Sequence, residues 1–86
     1  MKMKSIENAV KKLGLEIVKR EHGPKMWYGV VVGVKYTFYF YQYKDSDSPS
    51  SVSIGNTNAT YDAMSDTDNH VYPDTIKEII YYLTRQ

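Results

Sequence analysis

The residues most suggestive of chemistry form an acidic segment ahead of the last predicted helix. Asp62, Asp66 and Asp68 lie close together there and are followed by Asn69 and His70. Oxygen ligands of this kind bind calcium, but an EF-hand loop beginning at Asp66 would need glycine at its sixth position and glutamate at its twelfth. The sequence has valine and lysine at these positions. We therefore predict no metal site and interpret the carboxylates as surface charges that complement the dipole of the following helix.

The two histidines, His22 and His70, are the residues best suited to act as a general base near neutral pH. A general base needs a reacting group within hydrogen-bond reach, and both histidines stand among turn or loop residues. Glu21 neighbours His22, but adjacent residues of a strand point to opposite faces. The absence of cysteine excludes a thiol nucleophile, a cysteine-ligated zinc site and a disulfide framework. We predict no enzyme activity and no cofactor.

Cations and aromatic residues are interleaved in the first half of the sequence, and the cations are Lys19, Arg20, Lys25 and Lys35. Proteins that bind nucleic acids on an open sheet combine rings that stack on bases with cations that neutralise phosphates. Nucleic-acid binding is therefore one functional hypothesis.

Two amphipathic helices must support these residues. The spacing of Ile6, Ala9, Val10 and Leu13 predicts a helix over residues 5–13, with Ser5 as its N-cap and Gly14 as its stop. A second helix is predicted from the same spacing near the C-terminus, in Ile76, Ile79, Ile80 and Leu83.

The start of the second helix has its own signals. Pro73 fits the first helical turn, where a missing N–H group costs nothing. Thr75 and Glu78 have the spacing of a capping box. Tyr72 is expected on the same face as Ile76, where it would close the end of the core.

Strand-forming residues dominate between the helices and predict strands over residues 15–21, 26–32 and 35–44. Residues 22–25 are typical of a turn, and Gly33-Val34 fits a two-residue hairpin loop of type II′. That loop would pair residue 32 with residue 35. Val52 and Ile54 indicate a short fourth strand ended by Gly55, whereas residues 56–71 are polar and mostly irregular, with a short extended piece at 59–61.

The hairpin register decides which side chains share a face. One face carries Trp27 and Val31 beside Phe38 and Phe40, and we assign it to the core. The opposite face carries tyrosines and other half-polar residues, with Lys35 at the hairpin end. We call this opposite side of the sheet the tyrosine face, and its predicted members are Met26, Tyr28, Val30, Tyr39, Tyr41 and Tyr43.

This order of elements predicts an α+β fold: a small two-layer α/β sandwich with an antiparallel sheet of three to four strands and both helices on one face. Its 86 residues predict a single domain, 1–86. The order resembles the double-stranded-RNA-binding domain, which also has a Gly-Pro pair where this chain has Gly23-Pro24. That family has histidine where this chain has Met26, and a lysine-rich phosphate clamp where it has Pro73-Asp74-Thr75. Membership is not assigned.

The charge and hydropathy patterns limit the kinds of partner that the protein can have. Residues 1–44 contain nine Lys or Arg and three Glu, whereas residues 45–86 contain two cations and seven carboxylates. This polarity predicts either a basic and an acidic face or two halves that interleave and cancel. The longest apolar run has six residues, 29–34, far short of the ~20 that span a bilayer, and no apolar signal region follows the N-terminal lysines. We expect a cytoplasmic protein without membrane association.

With both helices on one side, the tyrosine face is left open to solvent. Tyrosine and methionine are enriched at recognition surfaces. The leading hypothesis is a small non-enzymatic binding protein that recognises a protein partner or a second copy of itself. Its composition, rich in Lys, Tyr, Asn and Asp without cysteine, is typical of accessory proteins of phages and mobile elements, and we expect it to be one of them. Nucleic-acid binding by the same face is one alternative, and mimicry of nucleic acid by Asp45–Asp47 and Asp62–Asp68 to inhibit a host enzyme is another. In a further alternative, residues 56–71 cover the face and make it a second small core.

Overall fold

The structure is a computed structural model that describes residues 1–57 and 70–86. Its elements are α1 (Met3–Lys12), β1 (Val18–Glu21), β2 (Met26–Val32), β3 (Tyr36–Tyr43), β4 (Ser51–Asn56) and α2 (Ile76–Leu83). The four strands form one antiparallel sheet in chain order, which confirms the predicted α+β class. The extended piece predicted at 59–61, together with Asp62, Asp66, Asp68 and Asn69, lies outside the described residues.

Helix α1 begins two residues earlier than the sequence predicts. Lys2 is its N-cap and makes no side-chain capping bond, so the prediction of Ser5 as N-cap is wrong. The N–H group of Met3 instead donates to the carbonyl oxygen of Asp47, 2.7 Å away. This tertiary bond satisfies an N-terminal donor of the helix that a cap would otherwise satisfy. Gly14 follows the helix with a φ of 74°, as expected for a glycine stop.

Helix α2 has Thr75 as its N-cap, the threonine half of the predicted capping box, but starts later than its proline. The Thr75 hydroxyl accepts a hydrogen bond from the N–H group of Glu78 at 3.3 Å, and Thr75 is the N-cap. Pro73 therefore precedes the cap and is buried outside the helix, so its assignment to the first helical turn is wrong.

The hairpin of β2 and β3 has a register two residues away from the predicted one. Val32 pairs with Thr37, and the connection closes with a hydrogen bond from the N–H group of Gly33 to the carbonyl oxygen of Tyr36 at 3.0 Å. A type II′ turn needs a positive φ at its first central residue, and Gly33 does not have one. The predicted two-residue loop is therefore wrong. A shift by an even number of residues keeps every side chain on its face, so the predicted faces survive.

The core lies between the helices and the face of the sheet that carries Phe38 and Phe40. Both phenylalanines are almost fully buried, and their rings stack at 5.7 Å between centroids. Their buried neighbours come from both helices and from strands β2 and β4, and they are Met3, Ile6, Val10, Val31, Ile54, Ile79 and Leu83. This arrangement confirms that both helices pack on one face.

Four side chains of the faces predicted to form the core are only half-buried: Trp27, Leu13, Ile76 and Ile80. Trp27 lies opposite Gln42, and the ammonium groups of Lys44 and Lys19 lie 4.6 and 5.7 Å from its ring centroid. The lysines cover part of the indole that the core does not reach, as long cationic side chains commonly do.

Candidate interaction face

The structure brings the six predicted members of the tyrosine face together on two neighbouring strands. Met26 pairs with Tyr43, Tyr28 with Tyr41 and Val30 with Tyr39. Five of the six side chains are half-buried, and Tyr43 is 48% exposed. They lie side by side with their rings partly in solvent, on the side of the sheet that the helices do not cover.

Lys35 does not join this group. It lies in the loop between β2 and β3, and its ammonium group is 5.9 Å from the ring centroid of Tyr36. Tyr36 belongs to the helix side of the sheet, because it alternates with Thr37 and lies two residues from Phe38. The predicted register places Lys35 in the strand. In the structure the loop between β2 and β3 is longer than the predicted Gly33-Val34 loop and includes Lys35.

A first ring cluster is centred on Tyr41. The rings of Tyr28 and His22 each lie 5.0 Å from the Tyr41 ring, the histidine in an edge-on geometry. Aromatic contacts at these distances stabilise beyond the area they bury. His22 extends the face past the end of β1, a contribution that the sequence, with His22 in a turn, does not reveal.

A second ring cluster is centred on Tyr39. His70 stacks on Tyr39 with 6.3 Å between centroids and an angle of 13°, and Tyr72 contacts His70 edge-on. Tyr72 is 55% exposed, so its predicted place at the end of the core is wrong.

His70 and Tyr72 reach this face because Val71 forms a β-bridge with Ile54. Two hydrogen bonds of 2.7 and 2.9 Å join the main chains of these residues. Ile54 points into the core, so Val71 points there as well, and its two neighbours point to the tyrosine face. The alternation of polar, apolar and polar residues at 70–72 is the sequence signal that could have found them.

A groove of ≈ 190 Å³ runs between the two ring clusters. Ser51 and Ser53 form its floor opposite Tyr41 and Tyr39, because short side chains leave the space beside the rings open. Sites for small-molecule substrates usually have volumes of roughly 300–1,000 Å³. The groove is therefore a shallow feature of an extended surface and suits side chains of a partner better than an enclosed substrate.

The tyrosine face carries little charge. Among the described strand residues that point to it, Arg20 is the single charged side chain, since it pairs with Tyr28. Burial, with smaller effects of the neighbouring Tyr41 and Tyr39, raises the pKa of Tyr28 to about 12. The phenol of Tyr28 therefore keeps its proton to a higher pH than an exposed tyrosine does.

Two other lysines near the sheet, Lys44 and Lys19, are engaged on its helix side. Lys44 donates to Glu21 at 2.8 Å and lowers the pKa of that carboxyl group. Lys19 lies 3.8 Å from Glu7 on α1. Both lysines are therefore on the helix side, where Lys19 lies near the aromatic ring of Trp27 and not beside the tyrosines.

The acidic loop after β3 is also partly neutralised. Lys2 donates to the carboxylate of Asp47 at 2.8 Å and lowers the pKa of Asp47. This ion pair offsets one of the two negative charges of the Asp45–Asp47 segment.

Within residues 1–57 and 70–86, no group of three or more histidine, cysteine or carboxylate side chains could hold a metal ion. No helix in the same ranges is long and apolar enough to cross a membrane. Comparison with family models, with curated proteins and with solved structures finds no match to this chain. The geometry of the tyrosine face is therefore the basis for a functional proposal.

Proposed function

We propose that this chain is a small non-enzymatic interaction protein that binds a protein partner through the tyrosine face, and that the partner is a second copy of the chain. The observation that carries the proposal is the contiguous group of half-exposed rings on the side of the sheet away from the helices. Tyrosine supplies large, rigid contact area at a low cost in conformational entropy, and it is enriched among residues that dominate binding energy.

The contacts of the rings favour a protein partner over a nucleic acid. Tyr39 has one ring face against His70, and Tyr41 is contacted by two other rings. Bases stack on ring faces that are free to receive them. Phosphate binding also needs several cations, and Arg20 is the single charged side chain among the described strand residues of this face.

The small charge of the face favours a second copy as the partner. Two copies of the same surface carry the same charges, so a strongly charged face repels itself, and like charges at an interface cost several kcal/mol. Here the described strand residues that point to the tyrosine face offer hydroxyl groups, rings and one guanidinium, and none of them is a carboxylate. Such a surface can pair with itself without charge repulsion over most of its area.

Two exposed tyrosines provide a matched test. Tyr72 lies on the tyrosine face and is 55% exposed, whereas Tyr81 lies on α2 and is 51% exposed. We expect wild type to change from monomer to dimer with increasing concentration in sedimentation or light-scattering measurements. Tyr72→Asp should weaken the dimer by ~30-fold or more, since an anchor at an interface contributes ~2 kcal/mol or more. Tyr81→Asp should leave the dimer unchanged.

A second matched pair, Val32 and Val34, tests the interface without changing the ring contact between Tyr72 and His70. Val32, at the end of β2, lies two residues after Val30 on the tyrosine face and is 57% exposed. Val34, in the following loop, is 71% exposed. Val32→Asp should weaken the dimer and Val34→Asp should not. A wild-type chain that stays monomeric up to millimolar concentration overturns the proposal, as does a dimer equally sensitive to both members of either pair.

Binding of single-stranded oligonucleotides tests the principal alternative, in which the tyrosine face recognises nucleic acid. Fluorescence anisotropy at low and high salt should show no saturable binding by wild type. Tight binding that weakens steeply with salt and is lost in Tyr72→Asp would assign the same face to nucleic acid and contradict the proposal.

A further inference from the structure

We infer that the outer edge of β1 is a second binding site, which accepts an extended, acidic segment of a protein partner as a fifth strand. The two edges of the sheet differ in this respect. The outer edge of β4 is occupied at Ile54 by Val71, with two main-chain hydrogen bonds. Strand β1 is the opposite edge of the sheet, and all four of its residues are exposed.

The backbone groups available at this edge can be identified from the hydrogen-bond pattern. The N–H group of His22 donates to the carbonyl oxygen of Met26 at 2.9 Å, so His22 points its main-chain groups toward β2. In an antiparallel pair, residues with this orientation alternate with residues whose groups point away. The main-chain groups of Lys19 and Glu21 therefore point outward, where an added strand can pair with them.

A groove beside the edge would receive alternate side chains of the added strand. Its apolar lining is Val10 from α1 with Leu15 and Ile17 from the segment that leads into β1, and the charged residues that also line it are Glu7, Lys11, Glu16 and Lys19. Leu15 and Ile17 pack against the core but stay half-buried. When a peptide adds to a sheet edge, its main chain supplies affinity and pockets for every second side chain supply specificity.

The other side chains of the added strand would face the tyrosine side of the sheet, next to Arg20. Arg20 forms no ion pair with any residue of 1–57 or 70–86, whereas Lys19 is close to Glu7. A carboxylate in the added strand would find the guanidinium of Arg20 beside it. The added strand that fits this edge best therefore alternates acidic and apolar residues, with its apolar side chains toward α1.

A second copy of β1 is a poor occupant. Because outward-pointing residues pair only with outward-pointing residues, an antiparallel pair of β1 strands is centred on Lys19, Arg20 or Glu21. Each of these registers places the central charged residue opposite its own copy, and like charges directly opposite one another destabilise a sheet. Charged residues on an edge are a common protection against self-pairing. They do not oppose a strand of the other sign.

The test uses capped heptapeptides and the full chain. The probe alternates glutamate and valine, beginning and ending with glutamate. We expect it to shift the amide NMR signals of Lys19 and Glu21 saturably and to slow the hydrogen exchange of both, because their N–H groups become bonded. A peptide with lysine in place of glutamate should bind at least ~10-fold more weakly, because it places like charges next to Arg20.

Two controls isolate the two parts of the inference. The glutamate–valine peptide methylated on the backbone nitrogens that face β1 should lose binding, since it cannot donate to the edge. Arg20→Glu should reverse the preference between the two peptides, whereas Arg85→Glu, which changes the other arginine of the chain, should not. Absent shifts at β1 up to millimolar peptide, equal binding of both charges, or unchanged binding of the methylated peptide would each overturn the inference.

Discussion

The ring of Phe40 lies directly over Gly29 of the neighbouring strand and occupies the space that any side chain at that position would fill. The pairing of the smallest residue with a large ring lets Phe40 be almost fully buried against the backbone of β2. Glycine in a strand often marks such a close approach.

Gly29→Ala should therefore lower the free energy of unfolding by ~1–3 kcal/mol, as overpacking of a filled core does. The cost should shrink in a Phe40→Leu background, where the ring is absent, and the difference measures the coupling of the two sites. Gly14→Ala is the control, because its added methyl group meets no atom within 4 Å. Its cost, which arises from the positive φ, should be the same in both backgrounds in chemical denaturation.

Phe40 and Trp27 lie on the same side of the sheet but differ in burial. Phe40 is 1% exposed, and Trp27 is half-buried beneath two lysines. Phe40→Ala should cost ~3–5 kcal/mol, and Trp27→Ala should cost distinctly less because solvent already reaches the site. Thermal unfolding followed by circular dichroism compares them, and an equal loss would mean that the core extends over Trp27.

The faces of the sheet could be predicted from the sequence, whereas the register could not. The alternation of Tyr39 and Tyr41 with Phe38 and Phe40 separates the two sides whatever the pairing partner. The register depends on the loop, and Gly33 takes a conformation that its residue type does not require. The predicted register differs from the observed one by two residues. This difference leaves every strand residue on its predicted face but moves Lys35 out of the strand and into the loop.

The missed parts of the candidate site depend on long-range contacts. His70 and Tyr72 face the tyrosines because Val71 pairs with Ile54, seventeen positions earlier in the sequence, and no local pattern specifies that partner. The start of α1 was missed for the same reason, since its first N–H group is satisfied by Asp47. Local signals succeeded where the interaction itself is local, as at Thr75.

The capping bond of Thr75 predicts a measurable cost. Thr75→Ala removes the acceptor for the N–H group of Glu78 and should lower stability by ~1 kcal/mol, whereas Thr75→Ser should lose little. Thr84→Ala at the other end of α2 is the control. Its hydroxyl donates to the carbonyl oxygen of Ile80, a group that water can also satisfy at an exposed helix end, so its cost should be smaller in urea denaturation.

The raised pKa of Tyr28 predicts how stability changes in alkali. Burial raises the pKa from 10.0 to about 12 in the folded chain, so in this interval the unfolded chain has released a proton that the folded chain still holds. Stability falls with pH wherever the unfolded state binds fewer protons. The contribution of Tyr28 is therefore fully present below pH 10 and is lost as the pH rises toward about 12.

Tyr28→Phe should flatten this alkaline decline, whatever it changes at neutral pH, because phenylalanine has no proton to release. Phe40→Leu is the control, since it destabilises the fold without altering an ionisable group and should lower the unfolding free energy by a similar amount at each pH. Urea denaturation at a series of alkaline pH values gives the slopes, and tyrosinate absorbance follows the titration directly. An alkaline slope in Tyr28→Phe equal to that of wild type would show that Tyr28 is not held in its neutral form by the sheet.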